Sequence, residues 1–386
     1  MGRTLRASLH LLKHALLALL VAGTARASSV SDELSVGLVQ SSPADPHGTS
    51  LTNQLRAHFD LGEDWDLLVG AGFTHAWATD PPKGGHYGTS SANVGSLTAG
   101  PTWDVTPRLD LYGTASWSPT ARQSYEQNVR VKNPHPPPTT IPASLLVDGT
   151  TGLYGVTLGA GYIFGGSEAE GFVLGGLALD LSVGWTGYVI EQKVNDVFVT
   201  GGQLTAAEFL RQCRAGEIPA ATCNRLRPAI KGAQDTLNQL RLGLYGTQTL
   251  GETTDLDLGL SYDVYDQDPA IAGAFTSRAG VLLFQSSAAS GLPLAPERLA
   301  ARAGISQTLG PFELSPWYQY TLYASDEGWQ HAAGLKVRVK LGRDWRVWAT
   351  GVAFFDALTT TTGSSASTVH VSLVSGTVAL GVRARF

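Results

Sequence analysis

Residues Leu256–Val264 read LDLGLSYDV. Leu256, Leu258, Leu260, Tyr262 and Val264 alternate there with Asp257, Gly259, Ser261 and Asp263. Successive side chains of an extended chain point to opposite faces, so this period of two gives one apolar face and one polar face. Leu335–Leu341 (LKVRVKL) repeats it, with Leu335, Val337, Val339 and Leu341 interleaved by Lys336, Arg338 and Lys340. In a sandwich the apolar set would meet a second sheet. In a barrel crossing a bilayer it meets lipid, and the polar set lines a wet interior.

The links between such segments choose between the two. Short connections occur at Gly62–Asp64, Thr106–Arg108, Gly165–Gly171, Gly251–Thr254, Gly310–Pro311 and Gly342–Asp344. Between them fall longer polar stretches near 42–50, 79–88, 120–150, 191–237, 266–297, 324–329 and 356–370. Strict alternation of short and long links is the signature of an up-and-down transmembrane β-barrel, with turns on the periplasmic side and loops outside. Six turns and seven loops join about fourteen antiparallel strands, and the spacing is compatible with twelve to eighteen. Trp65, Trp103, Phe312 and Trp345 stand beside short turns, while Trp77, Trp117, Trp185, Tyr188 and Trp329 stand towards long loops. Two such belts are expected at the two membrane interfaces.

The ends of the chain fix the compartment. Arg3, Arg6 and Lys13 precede the apolar run Ala15–Gly23, and Ala25-Arg26-Ala27 offers a cleavage site, so residues 1–27 read as a removed signal peptide and 28–386 as the barrel. What remains carries 23 basic and 32 acidic side chains, a formal charge of −9. That balance argues against nucleic acid as a partner, since phosphate binding needs clustered cations. No uninterrupted apolar run of 18 residues follows the leader, so helical spans are not expected. The last residues, VALGVRARF (Val378–Phe386), place Val378, Leu380, Val382, Ala384 and Phe386 on one face and end in an aromatic. This strand resembles the C-terminal insertion signal of porin-like bacterial outer-membrane β-barrel proteins. Leu380 and Val382 stand where an aromatic is common in that signal. The resemblance implies a Gram-negative outer-membrane location, with the bilayer and the outer-membrane insertion machinery as partners. Oligomeric state is left open.

Catalytic chemistry is not legible. The chain has neither a His-Glu-x-x-His helix nor a Gly-x-Ser-x-Gly elbow, and its nine histidines are scattered, so it reads as a non-enzyme with no cofactor and no metal site. The carboxylates Asp263, Asp266 and Asp268 near one loop read as solvated rather than as an ion site. Cys213 and Cys223 both fall in the 191–237 stretch, and an oxidising compartment predicts a local disulfide there. Thr205-Ala-Ala-Glu208 has capping-box spacing, and Pro228 suits the start of a second short helix reaching Leu240. A stapled helical loop could cover the pore mouth or simply resist proteolysis.

Charge in the polar sets carries the functional expectation. Arg298, Arg302, Lys336, Arg338, Lys340, Arg383 and Arg385 are expected to make a basic pore wall. Asp180, Asp255, Asp257 and Asp263 are expected to form an acidic arc. Fixed charge in a pore sets ion preference, which points to a channel or transporter for hydrophilic, anionic solutes. The bland counterpart is that these residues pair with one another and with Glu313. Two alternatives stay open: an export porin for a polymer such as polysaccharide, working with a periplasmic partner, and a structural or adhesive barrel presenting its loops.

Overall fold

The computed structural model describes residues 27–40, 47–79, 89–132, 140–164, 176–199, 202–230, 233–267, 297–324, 328–361 and 368–385. Residues 1–26 of the segment read from sequence as a signal peptide, Asp268 and the terminal Phe386 lie outside the described residues.

Fifteen strands and two helices follow in chain order. The strands are β1 (Ala27–Gln40), β2 (His47–Asp60), β3 (Trp65–Thr79), β4 (Thr89–Thr106), β5 (Leu109–Lys132), β6 (Thr140–Phe164), β7 (Leu177–Val199), β8 (Gly202–Thr205), β9 (Ala233–Thr249), β10 (Thr254–Tyr265), β11 (Glu297–Leu309), β12 (Phe312–Tyr323), β13 (Gly328–Lys340), β14 (Trp345–Thr361) and β15 (Thr368–Arg385). Helices α1 (Ala206–Ala215) and α2 (Ala220–Ile230) separate β8 from β9. Every strand pairs antiparallel with its sequence neighbour, except that the short β8 folds back on the end of β7 and leaves β7 paired with β9. β1 pairs with β15 from Ser31↔Arg385 to Gln40↔Gly376, which closes a fourteen-strand barrel and leaves no sheet edge among its walls.

The alternation read from sequence becomes the two faces of this wall. Leu38, Leu158, Leu181, Leu258, Val378 and Leu380 each keep more than half of their surface exposed. Apolar patches of that extent are costly in water, whereas against acyl chains they are the lowest-energy surface. Among the described residues no helix is long and apolar enough to cross a membrane. The chain crosses with strands. Trp65 stacks on Trp103 at 5.6 Å between centroids beside two short turns, and at the other end Tyr154 meets Trp185 edge-on at 5.4 Å. Tyr188 does not join this belt. It lies on the inward face, 1% exposed, because its register position on β7 falls between the outward Trp185 and Val189 sets.

Some inward glycines seat aromatic rings from the next strand. A Cβ on Gly334 would stand 2.5 Å from the Trp317 ring, and one on Gly381 would stand 2.4 Å from the Trp348 ring. Both pairs are direct cross-strand partners or their immediate diagonal neighbours: Trp317↔Gly334 and Trp348↔Gly381. The glycine removes the only atom that would push the ring off the wall. Tight turns use glycine differently: Gly251 and Gly310 sit at φ 80° and 60°, a region that L side chains avoid.

β5, β6 and β7 run for 24, 25 and 23 residues, about twice what spanning a bilayer requires. The stretch 120–150, read from sequence as a loop, is therefore mostly a paired arm, with Arg122↔Thr150 through Lys132↔Thr140 in register. Outside the bilayer no apolar alternation is demanded of a strand, so the arm left no periodic trace in the sequence. The 191–237 stretch is likewise strand up to Val199 and again from Ala233.

The helical hairpin sits on this arm. Thr205 caps α1 as its spacing predicted: its hydroxyl accepts from the Glu208 N–H at 3.2 Å, and its own N–H donates to Glu208 Oε2 at 3.1 Å. The Thr205 N–H and the Thr205 hydroxyl, which also donates to Glu208 Oε2 at 2.9 Å, hold the Glu208 carboxyl below the usual carboxylate range. The second helix corrects the sequence reading. It starts after Pro219, whose carbonyl accepts from the Cys223 N–H at 3.1 Å, and it contains Pro228 rather than beginning there. Pro219 already provides the turn that opens the helix, and Leu240 belongs to β9. Cys213 and Cys223 are joined in a disulfide that ties α1 to α2.

Phe209, Cys223, Leu226 and Ile230 pack with Leu145 of β6 and Val194 and Val197 of β7. Leu145 pairs with Val197 and Thr151 with Ile190 on the face that continues the barrel interior. The hairpin thus leans on the inner side of the projecting arm, at the extracellular mouth. Opening its ten-residue closure in a Cys213→Ser/Cys223→Ser variant returns about 3 kcal/mol of loop entropy to the unfolded hairpin. Single-channel recordings of the variant are expected to show higher mean conductance, and identical recordings would put the hairpin off the ion path.

Candidate functional site: the barrel interior

Register assigns the inward set strand by strand, and it is polar: Ser, Thr, Gly, charged residues and a few rings. Tyr245 of β9 faces inward and remains 47% exposed, so the interior is not packed shut at its level. The basic residues expected from the sequence sit as follows. Lys336 and Arg338 share the inward face of β13, with Lys340 at its end. Arg383 and Arg385 lie on that of β15, where Arg383 donates to Ser31 Oγ at 3.3 Å. The Arg302 guanidinium lies 4.5 Å from the centroid of Trp317, and Lys336 Nζ lies 4.7 Å from that of Trp348. Such cation–π contacts hold a cation against the wall without neutralising it. Arg338 is different, because it forms an ion pair with Glu313. Arg298 occupies the bulge between Glu297 and Leu299 and has no cross-strand register partner.

The acidic residues are more heavily engaged. Asp180 accepts from the Tyr112 hydroxyl at 2.7 Å, and Asp257 accepts from Thr247 Oγ1 at 2.9 Å. Asp255 shares the inward parity of Asp257, close to the β9–β10 turn. Asp263 corrects the expectation of an acidic wall residue. It points inward, but its side chain is fully buried and bound at both oxygens by Arg241, Nε to Oδ1 at 2.7 Å and Nη2 to Oδ2 at 2.9 Å. A carboxylate so enclosed presents no charge to a solute. Asp266 caps the start of the same region, accepting from the Asn238 side-chain amide at 2.6 Å and from its backbone N–H at 2.9 Å, and these bonds hold its carboxyl below the usual range. Among the described residues no group of three acidic, His or Cys side chains has the geometry of a metal site.

Arg241 belongs to a network that links four strands. Its Nη2 also donates to Glu297 Oε2 at 3.1 Å. Gln239 Nε2 donates to Asp263 Oδ1 at 2.8 Å and accepts, through Oε1, from the Tyr188 hydroxyl. The Tyr265 hydroxyl donates to the Glu297 carbonyl. None of Gln239, Arg241, Tyr265 or Glu297 was singled out from sequence, and Tyr188 was read there only as an interface aromatic. Arg241 was visible as the one cation inside the alternating run Leu237–Leu244, but its partners stand 22 and 56 residues away, and the pairing of β9 with β10 and of β10 with β11 brings them together. Arg56 of β2, Arg346 of β14 and Asp110 of β5 are further inward charges that sequence did not flag.

The charges segregate around the circumference. Basic inward residues concentrate on β13, β14, β15 and β2, and acidic ones on β5, β7 and β10, with Arg241 (β9), Arg302 (β11), Glu33 (β1), Glu297 (β11) and Glu313 (β12) outside this division. In the ring of fourteen strands these two arcs face each other across the interior.

No protein-family model matches the chain, and no curated protein matches it in sequence. Solved structures do resemble it in fold. A Pseudomonas aeruginosa FadL homologue matches with a TM-score of 0.58 at 9% identity, over 93% of this chain and 90% of that one. The CymD monoaromatic hydrocarbon channel matches with a TM-score of 0.50 at 10% identity, over 93% and 88%. A deltaS2 mutant of the TodX monoaromatic hydrocarbon channel gives 0.51 at 9%, over 92% and 89%. Closed on itself, apolar towards lipid and polar within, the chain is an all-β barrel of the bacterial outer membrane.

Proposed function

We propose that this barrel is an outer-membrane channel for hydrophilic solutes, with a preference for anions. One observation carries the reading. The inward carboxylates Asp263, Glu297 and Glu313 are neutralised in ion pairs with Arg241 and Arg338, whereas Lys336 and Arg302 rest on aromatic faces and form no ion pair among the described residues. The field available to a passing solute is therefore positive on one wall. Reversal potentials of the reconstituted barrel under a KCl gradient test this. Anion selectivity is expected, shifting towards cations in Lys336→Glu; cation selectivity in the unaltered protein would refute the reading.

A second reading has its own support. The rings of Tyr112, Tyr245, Trp317 and Trp348 stand among the inward residues, and two of the structures similar in fold are described as monoaromatic hydrocarbon channels. Uptake of a monoaromatic hydrocarbon into liposomes carrying the barrel, in the absence of ion conductance, would favour that solute class instead.

A further inference from the structure

At the periplasmic end, inward residues of β1, β2, β3, β14 and β15 and the turn between β13 and β14 line a half-open cavity of about 370 Å³. Arg56, Arg343, Arg346, Arg383 and Arg385 line it, and Asp344 is the one carboxylate in that lining. Two of these arginines are direct cross-strand partners, Arg346↔Arg383. Ser31 is the register partner of both Arg385 and Arg56. Like charges placed opposite each other destabilise a sheet, and nothing in the wall offsets them fully. Glu33 is the β1 partner of Arg383, but the recorded side-chain bonds of these guanidiniums go to neutral groups: Arg383 to Ser31 Oγ at 3.3 Å and Arg56 to Gln54 Oε1 at 3.0 Å. Among the described residues none of the five forms an ion pair.

The choice of residue adds chemistry. All five cations are arginines, whose planar forks match the oxygens of phosphate and carboxylate in pairs, whereas lysine offers only a point charge. Leu68 contributes an apolar patch to the same lining, 42% exposed. The volume suits a small solute. We infer that the periplasmic mouth holds a binding site for a small oxyanion, a phosphate- or carboxylate-bearing solute gripped by Arg346, Arg383 and Arg385. The inference extends the anion-channel reading and rests on it for the route by which the solute arrives.

Binding of inorganic pyrophosphate to the full mature chain in detergent, followed by calorimetry at low salt, tests the site without requiring conduction. Saturable binding is expected. It should weaken at least tenfold in Arg346→Gln/Arg383→Gln and stay unchanged in Arg108→Gln, which removes a guanidinium from the β4–β5 turn. Because the two arginines repel each other, the double variant should unfold at the same or higher denaturant concentration than the parent, which also shows that it folds. Absence of saturable binding, equal loss in Arg108→Gln, or a double variant that binds as tightly as the parent would each overturn the proposal. Anion-selective conductance without pyrophosphate binding would remove the site and leave the channel, and binding without conductance would do the reverse.

Discussion

Replacing Arg241 with Met is expected to cost about 3–5 kcal/mol of stability. The guanidinium is shared between Asp263, whose side chain is fully buried, and Glu297, 12% exposed. Removing it leaves two carboxylates in one dry site with Gln239 as their main remaining donor. The destabilisation is thus the penalty of uncompensated buried charge rather than the net worth of the ion pairs. That distinction can be measured. Adding Asp263→Asn and Glu297→Gln to Arg241→Met removes both negative charges and is expected to recover most of the loss, since neutralised networks are often no less stable than charged ones. Denaturant unfolding in micelles, read by tryptophan fluorescence, supplies both numbers. A single variant within 1 kcal/mol of the parent, on the scale of an exposed pair, would show that water reaches the network.

Leu181→Arg addresses the other face. Leu181 lies midway along the membrane-spanning part of β7 and is 64% exposed, the most exposed large apolar side chain among the described residues. If that exposure is to acyl chains, a cation there costs about 2–4 kcal/mol near the bilayer midplane. Ser182, its neighbour in sequence, points the other way into the interior, so Ser182→Arg meets water and should cost much less. Refolding into vesicles at graded denaturant compares the two. Equal costs would mean that the two faces share one solvent, and the assignment of lipid and lumen sides would fail.

These two variants also mark the boundary between what was legible in the chain and what was not. Period-two patterning in Leu256–Val264 and Leu335–Leu341 is a property of a few consecutive residues, because successive side chains of any strand diverge. The lipid-facing set could be read from it, and the alternation of short and long links gave the count of about fourteen strands, although the turn read at Gly165–Gly171 lies outside the described residues. The extracellular arm of β5, β6 and β7 could not. Its strands are held by backbone pairing in water, where neither face must be apolar. Thr205 announced its cap, since both halves of the capping box lie within four residues, whereas the start of α2 was misplaced because two prolines competed for one role.

Sequence alone determined that this chain would present one greasy and one polar face on successive strands, and that its two cysteines would lie close enough to bond. The tertiary structure decided which polar residues keep their charge. Asp257 and Asp263 are alike in sequence, each between apolar neighbours on β10, yet one meets a threonine hydroxyl and the other an arginine fork. The difference arises from the register of β9 on β10, which sets Thr247 opposite Asp257 and Arg241 opposite Asp263, a pairing that the alternation within either strand does not encode. Interior charge is a property of paired strands, and lipid contact is a property of the single strand.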